Sequence, residues 1–188
     1  MLADEHIFSV IILSLVPSCN KKCAPLFLAF SRGMTYNEST NHKEDTAMIQ
    51  LITGAKGKGK TRYLLDKANE SIKTADGHIV YIDKNQKHMY DLSNRIRLID
   101  ASRFPLKSGD EFIGFICGIA AQDHDLEEIY LDSFLTLAKI DEDSAQVKDY
   151  ILQLENIGRI CDVSFIISIS MDQDQLDPDL YDRITVSL

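Results

Sequence analysis

The sequence lacks the features that mark two common functional classes. It has no excess of basic residues, because 20 Lys and Arg stand against 29 Asp and Glu, and the formal net charge is −9. That charge argues against a general binder of nucleic acids or anionic membranes. It also lacks an apolar run of the roughly 20 residues that span a bilayer, since residues 7–16 are only about ten long. Asp4 and Glu5 precede this run where a signal peptide is positively charged, so a signal peptide is not expected either.

Cysteine is scarce, with four residues in the chain. Cys19 and Cys23 are spaced C-x-x-x-C without a second pair downstream, which argues against a zinc site. Cys117 and Cys161 lie in apolar segments and are expected to be buried thiols. This usage is typical of a protein of the reducing cytoplasm.

The chain divides into two parts of different character. Residues 31–47 are polar and without hydrophobic periodicity, so residues 1–47 are expected to be an N-terminal extension that is poorly ordered or precedes the true start. Residues 48–188 are long enough for one domain with a sizeable core. Residues 48–109 carry 12 Lys and Arg against 6 Asp and Glu, whereas residues 110–188 carry 4 against 18. The acidic half indicates solvated helix faces or, alternatively, metal or partner binding.

Residues 54–61 read GAKGKGKT, which fits the phosphate-loop pattern G-x-x-x-x-G-K-[ST]. The apolar residues 49–53 predict a strand before it, and apolar residues at helical spacing predict a helix from residue 60 to about 73. Glycines let the backbone aim its N–H groups at an anion, and the helix adds the positive end of its dipole. Lys60 would contact the β- and γ-phosphates, and the Thr61 hydroxyl would ligate Mg²⁺. The predicted nucleotide-binding residues are Gly54, Ala55, Lys56, Gly57, Lys58, Gly59, Lys60, Thr61 and Arg62.

Strands and helices alternate along the rest of the chain, which predicts a three-layer α/β domain with a mostly parallel sheet. Further strands are expected at 78–83, 96–100, 127–132, 163–169 and 184–188. A capping box at 108–111 predicts an apolar, deeply buried helix, in which Gly114 and Gly118 would pack closely against the sheet. A second helix is expected over 142–157, with Gly158 as its C-cap.

Three predicted strands end in aspartate, and one of these residues is expected to serve the Mg²⁺ ion at the carboxyl edge of the sheet. Asp132 is the first choice, because a later apolar strand follows in the place where phosphate-loop proteins often carry a polar sensor residue, a role for which Ser168 and Ser170 are the candidates. Alternatively, Asp132 only caps the next helix. Asp83 is the second choice and would face a substrate, while Asp100 is assigned to a turn. No glutamate follows Asp132 that would orient an attacking water.

The loop GAKGKGKT and the strand IYLD are similar to those of the P-loop NTPase superfamily, and their arrangement resembles its additional-strand branch. More narrowly, residues 48–188 resemble short Firmicutes ATP-binding proteins that carry the label twitching motility protein PilT. The resemblance implies nucleotide and Mg²⁺ binding through Gly54, Gly59, Lys60, Thr61 and Asp132. It implies neither a substrate nor a motor function. The residues predicted to act in catalysis are Lys60 and Asp132.

Three functions are compatible with these features. The leading hypothesis is a cytoplasmic, Mg²⁺-dependent ATP-binding protein with slow NTPase activity, regulated by a protein partner or a second copy that supplies an arginine. The second is a small-molecule or nucleoside phosphotransferase, with Asp83 facing the acceptor and its lid arginines drawn from Arg95, Arg97 and Arg103. The third is a nucleotide-sensing module that binds without hydrolysis. The absence of an N/T-K-x-D tetrapeptide favours ATP over GTP.

Overall fold

A computed structural model of the chain describes residues 48–188. The predictions for residues 1–47, including those for Cys19 and Cys23, lie outside the described residues. Within 48–188, strands and helices largely alternate as predicted, but no helix separates the second strand from the third and two helices follow the fourth. The strands are β1 (Ile49–Thr53), β2 (His78–Asp83), β3 (Ile96–Asp100), β4 (Leu126–Asp132), β5 (Ser164–Ser168) and β6 (Ile184–Ser187). The α-helices are α1 (Lys60–Ser71), α2 (Gly109–Gln122), α3 (Phe134–Ala138) and α4 (Ser144–Cys161).

All six strands of this region form one parallel sheet in the order β3-β2-β4-β5-β1-β6. The predicted α/β class and parallel sheet are therefore confirmed. Strand β5 lies between β1 and β4, so the strand before the glycine-rich loop is not adjacent to the strand that ends in Asp132. Because the strands are parallel, the loops that follow them open at one edge of the sheet.

Helices cover both faces of the sheet. One face packs against α1 through buried residues that include Leu64 and Ala68 of the helix and Tyr81 and Tyr130 of the sheet. The other face packs against α2, α3 and α4. Each fully buried Leu, Ile or Phe side chain contributes about 1.5–3 kcal/mol to the stability of such layers. The two cores fix the sheet, and with it the positions of the residues at the strand ends.

Helix α2 is less buried than its composition predicts. Ser108 Oγ accepts from Glu111 N at 3.3 Å, so the predicted helix start is confirmed. Gly114 and Gly118, however, are exposed, and a Cβ added at either position would meet nothing within 4 Å. The prediction that these glycines pack against the sheet is wrong, because α2 turns only the face with Phe112, Ile116 and Ala120 inward.

Gly158 does not cap α4. The helix continues to Cys161 and is closed by Asp162, whose φ of 59° is left-handed. Gly158 is buried instead, and a Cβ there would lie 2.6 Å from the Val163 carbonyl oxygen. The glycine therefore allows the helix to approach the segment that leads into β5.

None of the helices in residues 48–188 has the length and apolar character needed to cross a membrane. Cys117 and Cys161 are half-buried rather than fully buried, and burial raises the pKa of the Cys117 thiol.

Candidate functional site

The glycine-rich loop between β1 and α1 has the backbone conformation that its glycines allow. Gly54, Gly57 and Gly59 have φ values of 134°, 91° and 90°, which residues other than glycine rarely adopt. Gly54 also lies against the backbone of Leu188, where a Cβ would clash. At Gly57 and Gly59 no neighbour lies within 4 Å of an added Cβ, so the conformation alone requires glycine there.

The first turn of α1 carries no compensating negative charge. Its N-cap is Gly59, which has no side chain to accept from the N–H groups, and the turn contains no acidic residue. The unpaired N–H groups and the positive dipole end at such a terminus attract anions. Exposed Lys56, Lys58 and Arg62 add positive charge around the same terminus, although Arg62 also pairs with Asp66 at 2.9 Å. The loop is therefore suited to an anionic group.

Lys60 is held inside the loop, with only 6% of its surface exposed. Its Nζ donates to the carbonyl oxygens of Gly54 at 2.5 Å and Ala55 at 2.8 Å. Burial lowers the pKa of the Lys60 ammonium, and the negative charges of Asp132 and Asp172 oppose that change. An anion in the loop would face this ammonium directly.

The three strand-ending aspartates lie side by side at the carboxyl edge of the sheet. Asp83 pairs with Asp100 on one side and with Asp132 on the other. Asp100 accepts from the Ser102 N–H and hydroxyl, so its predicted place in a turn is confirmed. Asp83 is buried, and Oδ1 accepts from Lys84 N at 2.6 Å. Burial, followed by the charge of Asp132, raises the pKa of the Asp83 carboxyl.

Asp132 is buried and held by two hydroxyl groups. Ser168 Oγ donates to Asp132 Oδ1 at 2.7 Å, and Tyr81 OH donates to Oδ2 at 3.4 Å. Burial and the neighbouring Asp132 charge raise the pKa of the Tyr81 phenol, so the phenol remains a donor. The N-cap of α3 is Ser133, so the alternative that Asp132 serves only as that cap is wrong.

A cleft of about 1030 Å³ joins the loop to the end of β4. Lys60, Thr61 and Asp132, the residues predicted to bind phosphate and Mg²⁺, line this cleft together. The other predicted loop residues on its wall are Lys56, Gly57, Gly59 and Arg62. Gly54, Ala55 and Lys58 are not part of the wall, and the first two act through the carbonyls that hold Lys60. Of the two candidate serines, Ser170 lines the cleft and Ser168 holds Asp132.

Two further segments form walls of the cleft. One is the segment after β2, which contributes Lys84, His88 and Asp91, with His88 Nδ1 2.9 Å from Asp91 Oδ2. The other follows β4 and includes Ser133, Thr136, Asp141 and Glu142. The second wall was missed in the sequence, where its only signal was its position after a strand that ends at this edge.

Other predicted groups lie away from the cleft. Arg95 donates to the carbonyl oxygens of Ile72 and Ala75, which precede β2 and so lie toward the opposite edge. Arg97 and Arg103 are not on the cleft wall. The acidic segment 123–125 lies at the opposite edge of the sheet, because the Asp125 carbonyl accepts from the first residue of β2.

The donor groups of the cleft fit a metal ion that is shared with a ligand. Among residues 48–188, no group of three or more His, Cys, Asp or Glu is placed to hold a metal alone. Mg²⁺ is usually bound by one or two carboxylates together with water and substrate phosphates. The Thr61 hydroxyl and the Asp132 carboxylate, on one cleft wall, match that requirement.

No protein-family model matches the chain, and no curated protein matches it. In the described region, helices cover a six-stranded parallel sheet, and a cleft joins the glycine-rich loop to a buried aspartate.

Proposed function

We propose that this protein is a Mg²⁺-dependent ATP-binding protein with slow nucleotide-hydrolysing activity, and that it acts as a regulatory switch. One observation carries the proposal: Lys60, Thr61 and Asp132 line the same cleft, next to a helix N-terminus that has no acidic residue. A basic group, a hydroxyl and a buried carboxylate are the groups that a Mg²⁺–nucleotide complex needs.

The sheet order supports membership of the P-loop NTPases. In their additional-strand branch, one strand separates the strand before the phosphate loop from the strand that carries the metal aspartate. Strand β5 has that position between β1 and β4. We therefore assign the chain to this branch as part of the proposal.

Each residue has a separate role in binding. The Lys60 ammonium and the N–H groups at the start of α1 would bind the phosphates. Thr61 and Asp132 would hold Mg²⁺, which supplies charge neutralisation to the phosphate oxygens when it is bound. The buried Lys60 and Asp132 are fixed before the nucleotide arrives, so little reorganisation opposes binding.

Slow turnover follows from the residue after Asp132. That residue is Ser133, so no glutamate directly follows Asp132 in the chain to orient an attacking water. Asp141 and Glu142 line the cleft but are exposed. Arg62 is the arginine on the cleft wall within the described residues, and it is paired with Asp66. A partner or second copy that supplies an arginine would accelerate such a site.

A second candidate is a phosphotransferase. The cleft volume lies at the upper end of the roughly 300–1000 Å³ usual for small-molecule sites, and Lys84 and His88 are among the residues that line it. An acceptor molecule would fit there beside the nucleotide. Phosphate release from ATP without any acceptor counts against this candidate.

The test measures phosphate release and nucleotide binding on the full chain, with ATP and GTP in the presence of Mg²⁺. Lys60→Ala should weaken ATP binding about 10- to 100-fold, because a hydrogen bond to a charged group contributes about 1.5–3 kcal/mol. Lys73→Ala removes an exposed lysine beyond the other end of α1 and should leave binding unchanged. Binding without turnover would favour a nucleotide sensor. Equal binding by the wild type and Lys60→Ala would refute the proposed site.

A further inference from the structure

We propose that Ser168 and Tyr81 are positioning residues that orient the Asp132 carboxylate and thereby set the affinity of the site for Mg²⁺. This inference rests on the proposed function and concerns residues that do not themselves touch the ligand. It assigns a role to two buried hydroxyl groups in the middle of the sheet.

The two hydroxyls reach Asp132 from the strands on either side of β4. Ile167 pairs with Leu131, so Ser168 lies beside Asp132 on β5. On the other side, Asp83 pairs with Asp132, and Tyr81 lies two residues earlier on β2. Side chains two residues apart in a strand share one face of the sheet, so a long side chain can reach the diagonal neighbour. The parallel register therefore places one donor on each carboxylate oxygen.

Neither hydroxyl group is available to the cleft. Ser168 and Tyr81 are both fully buried, at 0% exposure, and neither lines the cleft wall. Ser170, two residues after Ser168, does line it. Because of this burial, neither Ser168 nor Tyr81 can contact a nucleotide in the cleft directly. Both can act on the site through Asp132.

The two hydrogen bonds differ in length, and the difference has a consequence for metal binding. The Ser168 bond to Oδ1, at 2.7 Å, is short and buried, whereas the Tyr81 bond to Oδ2, at 3.4 Å, is long. The short bond restrains the position of Oδ1, and the long bond leaves Oδ2 with more capacity to accept a cation. Loss of a group that orients a metal-binding side chain typically weakens metal affinity about 10- to 100-fold.

The experiment titrates Mg²⁺ into the full-length protein in the presence of a non-hydrolysable ATP analogue. The Mg²⁺ concentration for half-maximal binding should rise about tenfold in Ser168→Ala. It should rise less, about two- to threefold, in Tyr81→Phe, because the lost bond is the longer one. Binding of the analogue without Mg²⁺ should stay unchanged in both variants. A merely structural role would weaken binding with and without Mg²⁺ alike.

Two matched controls remove the same chemical groups elsewhere in the sheet. Tyr130 stacks on Tyr81 with ring centroids 6.0 Å apart, but its hydroxyl donates to Glu128 instead. Ser164 begins β5 and pairs with Glu128, toward the other end of the sheet. Tyr130→Phe and Ser164→Ala should keep the wild-type dependence on Mg²⁺.

The outcomes separate this inference from the proposed function. If the wild type binds the analogue with a Mg²⁺ dependence, and Ser168→Ala and Tyr81→Phe match their controls, the positioning role is wrong while the proposed function stands. If the wild type binds no nucleotide, the proposed function fails. Should Ser168→Ala not fold, Ser168→Cys keeps a similar buried shape with a weaker donor. An unchanged Mg²⁺ requirement in that variant also overturns the inference.

Discussion

Alanine substitutions at two helical glycines should change stability in opposite directions. Gly114 is in α2 and Gly158 is in α4, and both helices are regular at these positions. An alanine methyl at Gly114 would point into open space, whereas at Gly158 it would lie 2.6 Å from the Val163 carbonyl oxygen and 3.5 Å from the Phe165 ring. Both variants therefore change the stability of a helix in the same way, and they differ only in the atoms that the added methyl group contacts.

The expected stability changes follow from the helix preference for alanine and from the contacts of the added methyl group. Replacing glycine by alanine inside a helix stabilises the protein by about 0.5–1 kcal/mol, because the unfolded chain loses conformational freedom. Gly114→Ala should show this gain. At Gly158 the Val163 oxygen belongs to the backbone and cannot rotate away, so an overpacking cost of about 1–3 kcal/mol applies. The net effect of Gly158→Ala is a loss of about 1 kcal/mol.

Urea unfolding followed by circular dichroism measures both changes in the free energy of unfolding. The difference between the variants isolates the overpacking cost, since the helix term cancels. Gly118→Ala, at a second open position on α2, should repeat the gain of Gly114→Ala. Equal stability of Gly158→Ala and Gly114→Ala would refute the close approach of α4 to the segment before β5.

Three further predictions concern charges. Asp83→Asn should raise the free energy of unfolding at neutral pH. Burial and the charge of Asp132 raise the pKa of the Asp83 carboxyl above its unfolded value of 3.8. The contribution of Asp83 to the free energy of unfolding is therefore full below pH 3.8, and it is lost as pH rises through the higher pKa of the folded state. The stability gained by Asp83→Asn over the wild type should therefore shrink as pH falls toward about 4, which unfolding curves measured at several pH values would show. Glu155→Ala should cost about 1–2 kcal/mol in urea unfolding, because both Glu155 oxygens accept from Arg183. ATP affinity, measured by calorimetry, should fall as pH rises through the lowered pKa of Lys60, since the ammonium loses its charge.

Much of the sheet could be predicted from the sequence. The bounds of β1, β2 and β3 agree with the predicted ranges, because each is a short apolar, β-branched segment with a glycine or aspartate at its end. The predictions for Gly114, Gly118 and Gly158 were wrong for a common reason. A glycine in a helix is compatible with close packing, an exposed face or a C-cap, and only the neighbouring elements decide among them.

The site could be predicted only in part. The loop motif and the aspartate at the end of β4 are local features, and both lie on the cleft wall. The segment that brings Asp141 and Glu142 to the cleft depends on α3, a five-residue helix closed by Lys139 with a φ of 53°. A helix that short has too few apolar positions to show a period, and left-handed lysine is not a recognisable stop signal.

The choice between Asp83 and Asp132 also required the order of the strands. Both residues end a strand, both are buried, and they pair with each other, so local sequence does not separate them. Adjacent strands lie about 4.8 Å apart, which puts β4 about 10 Å from β1 and β2 about 14 Å from it. The proposed Mg²⁺ ion beside Thr61 would therefore be nearer to the end of β4, and Asp132, unlike Asp83, lines the cleft. Asp83 would contact a ligand only if that ligand extended past Asp132, which is why its substitution tests stability first.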